Sequence, residues 1–150
     1  MHVFLEPPSD VETASHSVEV LHKYLPEARA RWASISAKRV TYTIRELNHW
    51  GLPCGSLPIA IVATPSRVLS ATYASTQGSS KRGARVDSSC FSGLPSPADL
   101  FDSVEQAARQ FPGSLSVEFH VKLGLPEKII VSDELDGGTS TLITKIEVVQ

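Results

Sequence analysis

Two cysteines and five histidines are the side chains of this sequence best suited to nucleophilic chemistry. Cys54 lies in GLPCGS and Cys90 in SSCFSG. An imidazole from His49 or His120 could take the proton of either thiol and leave a thiolate near neutral pH. No catalytic signature surrounds either cysteine, so we assign no catalytic residue. A thiol-dependent hydrolase or redox protein that uses Cys90 or Cys54 is kept as an alternative function.

The same two cysteines could instead form a disulfide. Both lie among turn-forming residues, and closing the loop between Cys54 and Cys90 would stabilise the fold by about 3 to 4 kcal/mol in the chain-entropy model. No other cysteine and no spaced histidine pair completes a zinc ligand set. The sequence therefore favours a disulfide, with two unpaired thiols in a reducing compartment as the alternative.

A short acidic group near the C-terminus is the other candidate for ligand binding. Asp133, Glu134 and Asp136 precede two glycines, and a flexible loop of carboxylates can hold calcium. Their spacing does not match the EF-hand pattern, and the solvated tip of a hairpin is the simpler interpretation. We therefore predict no metal site and no cofactor.

Length and charge bound the class of protein. A chain of 150 residues has the size of one domain and can bury about 70% of the surface that it would expose when unfolded. A net charge of -2 draws the chain to neither nucleic acid nor anionic membranes. The apolar runs are far shorter than the roughly 20 residues needed to span a bilayer, and no signal peptide is visible. We expect a flexible arm over residues 1–14 and a single domain over residues 15–150.

Two amphipathic helices are predicted. The segment SVEVLHKYLPEARARWASISAK has helical apolar spacing, and Pro26 predicts either a kink or a break into a short helix and a longer one from Pro26 to about Ala37. Ser96 as N-cap and Pro97 at the first helical position predict a second helix that ends near Phe111.

Six strands are predicted from runs of alternating or continuous apolar residues. They are RVTYTIREL, LPIAIVA and VLSATYA in the first half, and LSVEFHVK, KIIVS and TLITKIEVV in the second. In the last strand one side is expected to carry Leu142, Thr144, Ile146 and Val148. The Ser- and Gly-rich residues 76–93 are interpreted as a loop.

The element order α-β-β-β-α-β-β-β lacks the repeated strand-helix-strand units of a parallel sheet. We therefore predict an α+β fold with a mainly antiparallel sheet of about six strands. Two helices would pack on one face, and the other face would stay polar and wet. That open face is expected to carry Thr41, Thr43, Arg45, Glu118, His120, Lys122, Lys145 and Glu147.

A tryptophan in a loop adds a second possible contact. The segment HWGLPCG places His49 and Trp50 beside Cys54, and exposed aromatic residues commonly anchor interfaces. Packing of Trp50 against the end of the sheet is the structural alternative.

Several segments together resemble a known family. ARARW, VTYTIRE, a following cysteine, PIAIVA, RVLSATY, ADLFDSVEQA and LSVEFHVKLGLPEKIIVSDE are similar to a bacterial domain-of-unknown-function family of small secreted or lipoprotein-like envelope proteins. The resemblance covers roughly Ala28 to the C-terminus. Its most specific parts are the LFD helix and the hairpin with Gly124, Pro126, Ile129 and Asp133. It implies a secreted or periplasmic setting and no known chemistry.

We therefore expect a non-enzymatic envelope or secreted module that binds a protein partner through the open sheet face and the Trp50 loop. A structural accessory domain of a larger assembly is a third possibility. Since no leader is visible, a cytoplasmic location is the alternative to secretion.

Overall fold

A computed structural model describes residues 11–14, 17–47, 58–74, 83–132 and 138–150. The strands are β1 (Val11–Ala14), β2 (Arg39–Leu47), β3 (Ile59–Thr64), β4 (Arg67–Tyr73), β5 (Leu115–His120), β6 (Pro126–Val131) and β7 (Thr139–Val149). The α-helices are α1 (Ser17–Glu19), α2 (Leu25–Ile35), α3 (Ser88–Ser92) and α4 (Pro97–Gln110).

All seven strands belong to one antiparallel sheet with the order β1-β5-β6-β7-β2-β3-β4. Two three-stranded meanders, β2-β3-β4 and β5-β6-β7, are joined side by side through β2 and β7. The predicted α+β class with a mainly antiparallel sheet is confirmed.

The strand β1 was not predicted. We expected a flexible arm over residues 1–14, but Val11–Ala14 pair with His120–Val117 of β5. Without β1, one edge of β5 would present unpaired backbone N–H and C=O groups, and pairing satisfies them. The arm prediction is therefore corrected over residues 11–14, and residues 1–10 lie outside the described part of the chain.

Pro26 predicted a kink or a break into two helices, but residues 17–35 are helical without a gap and only the type of helix changes. A π-helical turn, Val20–Tyr24, lies between α1 and α2, and Pro26 occupies the first turn of α2. The helix ends at Ser36, whose φ of 54° is left-handed. Its buried residues Leu25, Ala28 and Trp32 face the core.

The helix α4 begins with the predicted cap. The Ser96 hydroxyl accepts the Asp99 N–H at 3.3 Å, and the Ser96 N–H donates to the Asp99 carboxylate at 2.9 Å. Arg29 of α2 donates to Asp102 and Glu105 of α4, both at 3.0 Å, which ties the two helices together.

The helix α3 lies within the segment that we interpreted as a loop. The Asp87 carboxylate caps its first turn by accepting the Cys90 N–H at 2.9 Å. Its serines have low intrinsic helix propensity, so the cap and the burial of Cys90 determine this short helix.

We predicted that Leu142, Thr144, Ile146 and Val148 share one side of β7, but the first two and the last two lie on opposite faces of the sheet. Ile143 is buried, whereas Thr144 is exposed. Lys145 has a left-handed φ of 54°, and the pairing with β2 shifts there by one residue. This β-bulge exchanges the two faces, so that Ile143 lies on the core side before it and Ile146 and Val148 after it.

Tyr42 lies in the core of β2, and its hydroxyl donates to the Pro95 carbonyl. Burial above all, and the negative charge of Asp99 second, raise the pKa of Tyr42 well above its usual value of about 10. The folded state therefore holds the phenolic proton more tightly than the unfolded state.

We expect Tyr42→Phe to lower the free energy of unfolding by about 1 to 2 kcal/mol at pH 7, because the Pro95 carbonyl loses its donor. The contribution of neutral Tyr42 is complete below about pH 10 and is lost as the pH rises above it, since only the unfolded state then ionises. Urea unfolding at pH 7 and between about pH 9 and 11 should show the difference between wild type and variant shrinking. A difference independent of pH would contradict this account.

Candidate binding surface

Among the described elements, the helices cover one face of the sheet and leave the other open. The buried side chains of α2 and α4 share a single core cluster with Val40, Ile61 and Val117 of the sheet. Neighbouring residues in the same strands point the other way and stay partly accessible, as the alternation in β3 and β5 shows. The described open face is polar at most positions.

The open face is concave across β7, β2, β3 and β4. A depression of about 360 Å³ lies there, and we call it the sheet groove. Register places Thr41 between Val62 of β3 and Glu147 of β7, and Thr43 between Ala60 and Thr144. The side chains that line the groove on this face are Thr41, Thr43, Ala60, Val62, Ser70, Thr72, Lys145 and Glu147.

Two β-bulges flank the sheet groove. One is at Lys145 in β7, and the other leaves Leu69 of β4 unpaired between Val68 and Ser70. A bulge bends its strand and increases the local twist. The two irregularities are therefore expected to bend the sheet on either side of the sheet groove.

Lys145 holds the most unfavourable backbone conformation of the groove. Its φ of 54° lies in the left-handed region, which costs a residue with a Cβ about 1 to 2 kcal/mol. Such strain is concentrated at functional sites. The described lining also holds the hydroxyl groups of Thr41, Thr43, Ser70 and Thr72 and one carboxylate, Glu147.

The strain at Lys145 can be measured. We expect Lys145→Gly to raise the free energy of unfolding by about 1 kcal/mol, because glycine adopts a positive φ without penalty, and Lys145→Val to lower it by a similar amount. Lys128→Gly, at a lysine of β6 whose φ is not positive, is the matched control and should be destabilising by about 1 kcal/mol. Urea unfolding measures all three. Equal destabilisation by the two glycines would show that the left-handed conformation stores no strain.

The structure brings only some of the predicted surface residues together. Thr41 and Thr43 line the sheet groove, and Arg45 continues the same face opposite Leu142. Glu118 also points to this face, opposite Lys128, but its strand β5 is separated from β2 by β6 and β7.

His120 makes contacts within its own hairpin. Its ring Nδ1 accepts the backbone N–H groups of Lys122 and Leu123, at 3.2 and 3.0 Å, and so holds the β5–β6 turn. Its Nε2 lies 3.9 Å from the Glu127 carboxylate. The strand β5 ends at His120, so Lys122 belongs to the turn and not to the strand.

The described cysteine is poorly placed for nucleophilic chemistry. Cys90 is fully buried in the core cluster and carries no free thiol. The other predicted site residues, namely Cys54, His49, Trp50, Asp133, Glu134 and Asp136, lie outside the described residues. Within the described ranges no cluster of acidic, histidine and cysteine side chains could hold a metal ion, and no helix is long and apolar enough to cross a membrane.

Sequence reasoning missed half of the groove. LPIAIVA is almost entirely apolar, so none of its residues was expected on the open face, yet Ala60 and Val62 are partly accessible there. The alternation of Ile59 and Ile61 with smaller residues was the available signal. Ser70 and Thr72 alternate with Ala71 in the same way.

No protein-family model, curated protein or solved structure matches this chain. The family resemblance stays a prediction, and the chemistry of the sheet groove is the basis for a functional proposal.

Proposed function

We propose that this chain is a non-enzymatic binding module that holds an extended segment of a protein partner in the sheet groove. The proposal rests on the concave sheet groove. Two β-bulges flank it, and Lys145 within it has a left-handed backbone conformation, whereas a sheet face can be regular and flat. A backbone conformation that lowers stability is retained where it positions a side chain for function.

The lining suits a polypeptide backbone. The hydroxyl groups of Thr41, Thr43, Ser70 and Thr72 both donate and accept hydrogen bonds, as an extended backbone requires. Ala60 and Val62 supply a small apolar strip between them. Lys145 and Glu147 offer one charge of each sign, which favours a partner segment that carries both.

A matched pair of substitutions tests the proposal. Val62→Glu places a carboxylate in the groove, and Val18→Glu makes the same change at a valine that is 70% exposed on α1. We expect chemical crosslinking of the full chain in its native extract to capture a partner with wild type and Val18→Glu, and much less of it with Val62→Glu.

The crosslinked peptides decide the outcome. Links from the partner to Lys145 and Lys128, lost in Val62→Glu, would support the proposal. Equal capture by both glutamate variants would remove the groove as the contact surface. Links spread over both faces of the domain would instead favour a structural accessory role within a larger assembly.

We further infer that Cys54 and Cys90 form a disulfide and that the protein works in a secreted or envelope setting. What supports the pairing is that Cys90 carries no free thiol and that the chain has only two cysteines. Disulfides persist in oxidising compartments. Thiol titration in denaturant without reductant should detect no reactive thiol. Two reactive thiols per chain would overturn the disulfide and favour the alternative of a thiol-dependent enzyme.

A further inference from the structure

A second concavity lies on the helix-covered side of the sheet, between α4 and the strands β6, β7 and β2. Its volume is about 220 Å³. Leu100 and Ala107 of α4 and Ile129 and Val131 of β6 provide apolar walls. It is separate from the sheet groove, which opens on the other face.

Glu46 gives this cavity its chemical character. In β2 the residues Val40, Tyr42 and Ile44 are buried on the core face, and strand alternation places Glu46 on the same face. Glu46 is half-buried and is the one charged side chain among the described residues of the cavity lining. A carboxylate that is partly removed from water gains most from a cation that hydrogen-bonds to it.

We propose that this cavity binds a small organic monocation, an ammonium group attached to one apolar ring, with Glu46 accepting from the ammonium. The volume fits such a ligand, since a cavity of about 150 Å³ accommodates a benzene ring. The Thr141 and Ser103 hydroxyls lie in the same lining and can accept the remaining ammonium protons. A carboxylate accepts several hydrogen bonds, so Glu46 can bind the ligand and keep a contact within the protein.

The test uses benzylamine and benzyl alcohol, which have nearly the same size and differ in charge. Each is titrated into the isotopically labelled full chain, and amide chemical shifts report the site and the dissociation constant. We expect benzylamine to shift residues around Leu100, Ile129 and Thr141. Benzyl alcohol should bind about tenfold more weakly, because a hydrogen bond between two charged groups is stronger than one from a neutral hydroxyl.

Two variants separate the charge from the cavity. Glu46→Gln should weaken benzylamine about tenfold and leave benzyl alcohol unchanged. Ala107→Leu should fill the cavity and weaken both ligands, and Val62→Glu in the sheet groove should affect neither. Equal benzylamine affinity in wild type and Glu46→Gln, or shifts centred on Thr41 and Thr43, would overturn the proposal.

Discussion

Replacing Gly124 by alanine is expected to lower the free energy of unfolding by about 3 kcal/mol or more. Gly124 has a φ of +82°, where a Cβ costs about 1 kcal/mol. A Cβ there would also lie 2.2 Å from the Ala28 carbonyl oxygen and 3.1 Å from the Arg31 Cβ, both on α2. Because a backbone atom cannot move aside as a flexible side chain can, either the β5–β6 turn or the helix must shift.

Gly113→Ala is the matched control for this prediction. Gly113 has a φ of +85°, but nothing lies within 4 Å of the position that its Cβ would take. Gly113→Ala should therefore lower the free energy of unfolding by only about 1 kcal/mol, the penalty for a Cβ at a positive φ. Urea unfolding of the two variants separates the close approach from the backbone penalty. Equal losses would show that α2 does not rest on the turn.

The close approach at Gly124 explains the hairpin that the sequence indicated. The Gly124 N–H donates to the His120 carbonyl at 2.8 Å, and the His120 ring accepts the next two turn amides. The turn therefore forms a compact platform on which α2 lies. His120 thus holds the turn whose Gly124 lies against α2.

The elements with strong local signals could be predicted from the sequence. The helix α4 has its cap, its proline and its apolar stripe within one continuous segment, so no distant contact is needed to specify it. The strands β2 and β5 alternate over their whole length, and the core faces of both are correct, with Val40, Tyr42, Val117 and Phe119 all buried. In these segments the local pattern and the tertiary contacts agree.

The errors arise where a distant contact decides the local structure. Val11–Ala14 form a strand because β5 offers an edge, and the four residues have no periodicity long enough to reveal it. The bulge at Lys145 depends on pairing with β2, since a lysine gives no sequence signal for a positive φ. Because the sequence does not reveal this bulge, it could not show which side chains of β7 face the core on both sides of Lys145.

The two candidate sites differ in what the sequence could reveal. Thr41 and Thr43 follow from alternation alone, but the concavity depends on two bulges and on strands whose order is not local. Glu46 interrupts an alternating apolar series after Ile44, which was a readable sign of a charge on the core side. The cavity beside it could not be foreseen, because its walls come from α4 and β6.

Phe119→Ala is expected to have the largest effect of any single core truncation that we considered, a loss of about 3 to 5 kcal/mol in the free energy of unfolding. Phe119 is 0% exposed and heads the fully buried side chains by volume. It lies on β5 between β1 and β6, so a cavity there removes contacts on both sides of the strand. Because small domains are stabilised by only about 5 to 15 kcal/mol, the variant should be marginally stable at 37 °C.

Phe111→Ala removes the same side chain at the end of α4, where 41% of it is exposed, and should cost less than about 1 kcal/mol. Phe119→Leu, which keeps most of the buried volume, should fall between the two. Urea unfolding with the slope of the transition held common to all variants gives the ranking. If Phe111→Ala lowered the free energy of unfolding as much as Phe119→Ala does, the end of α4 would contribute as much to the core as the middle of β5, and the prediction would be wrong.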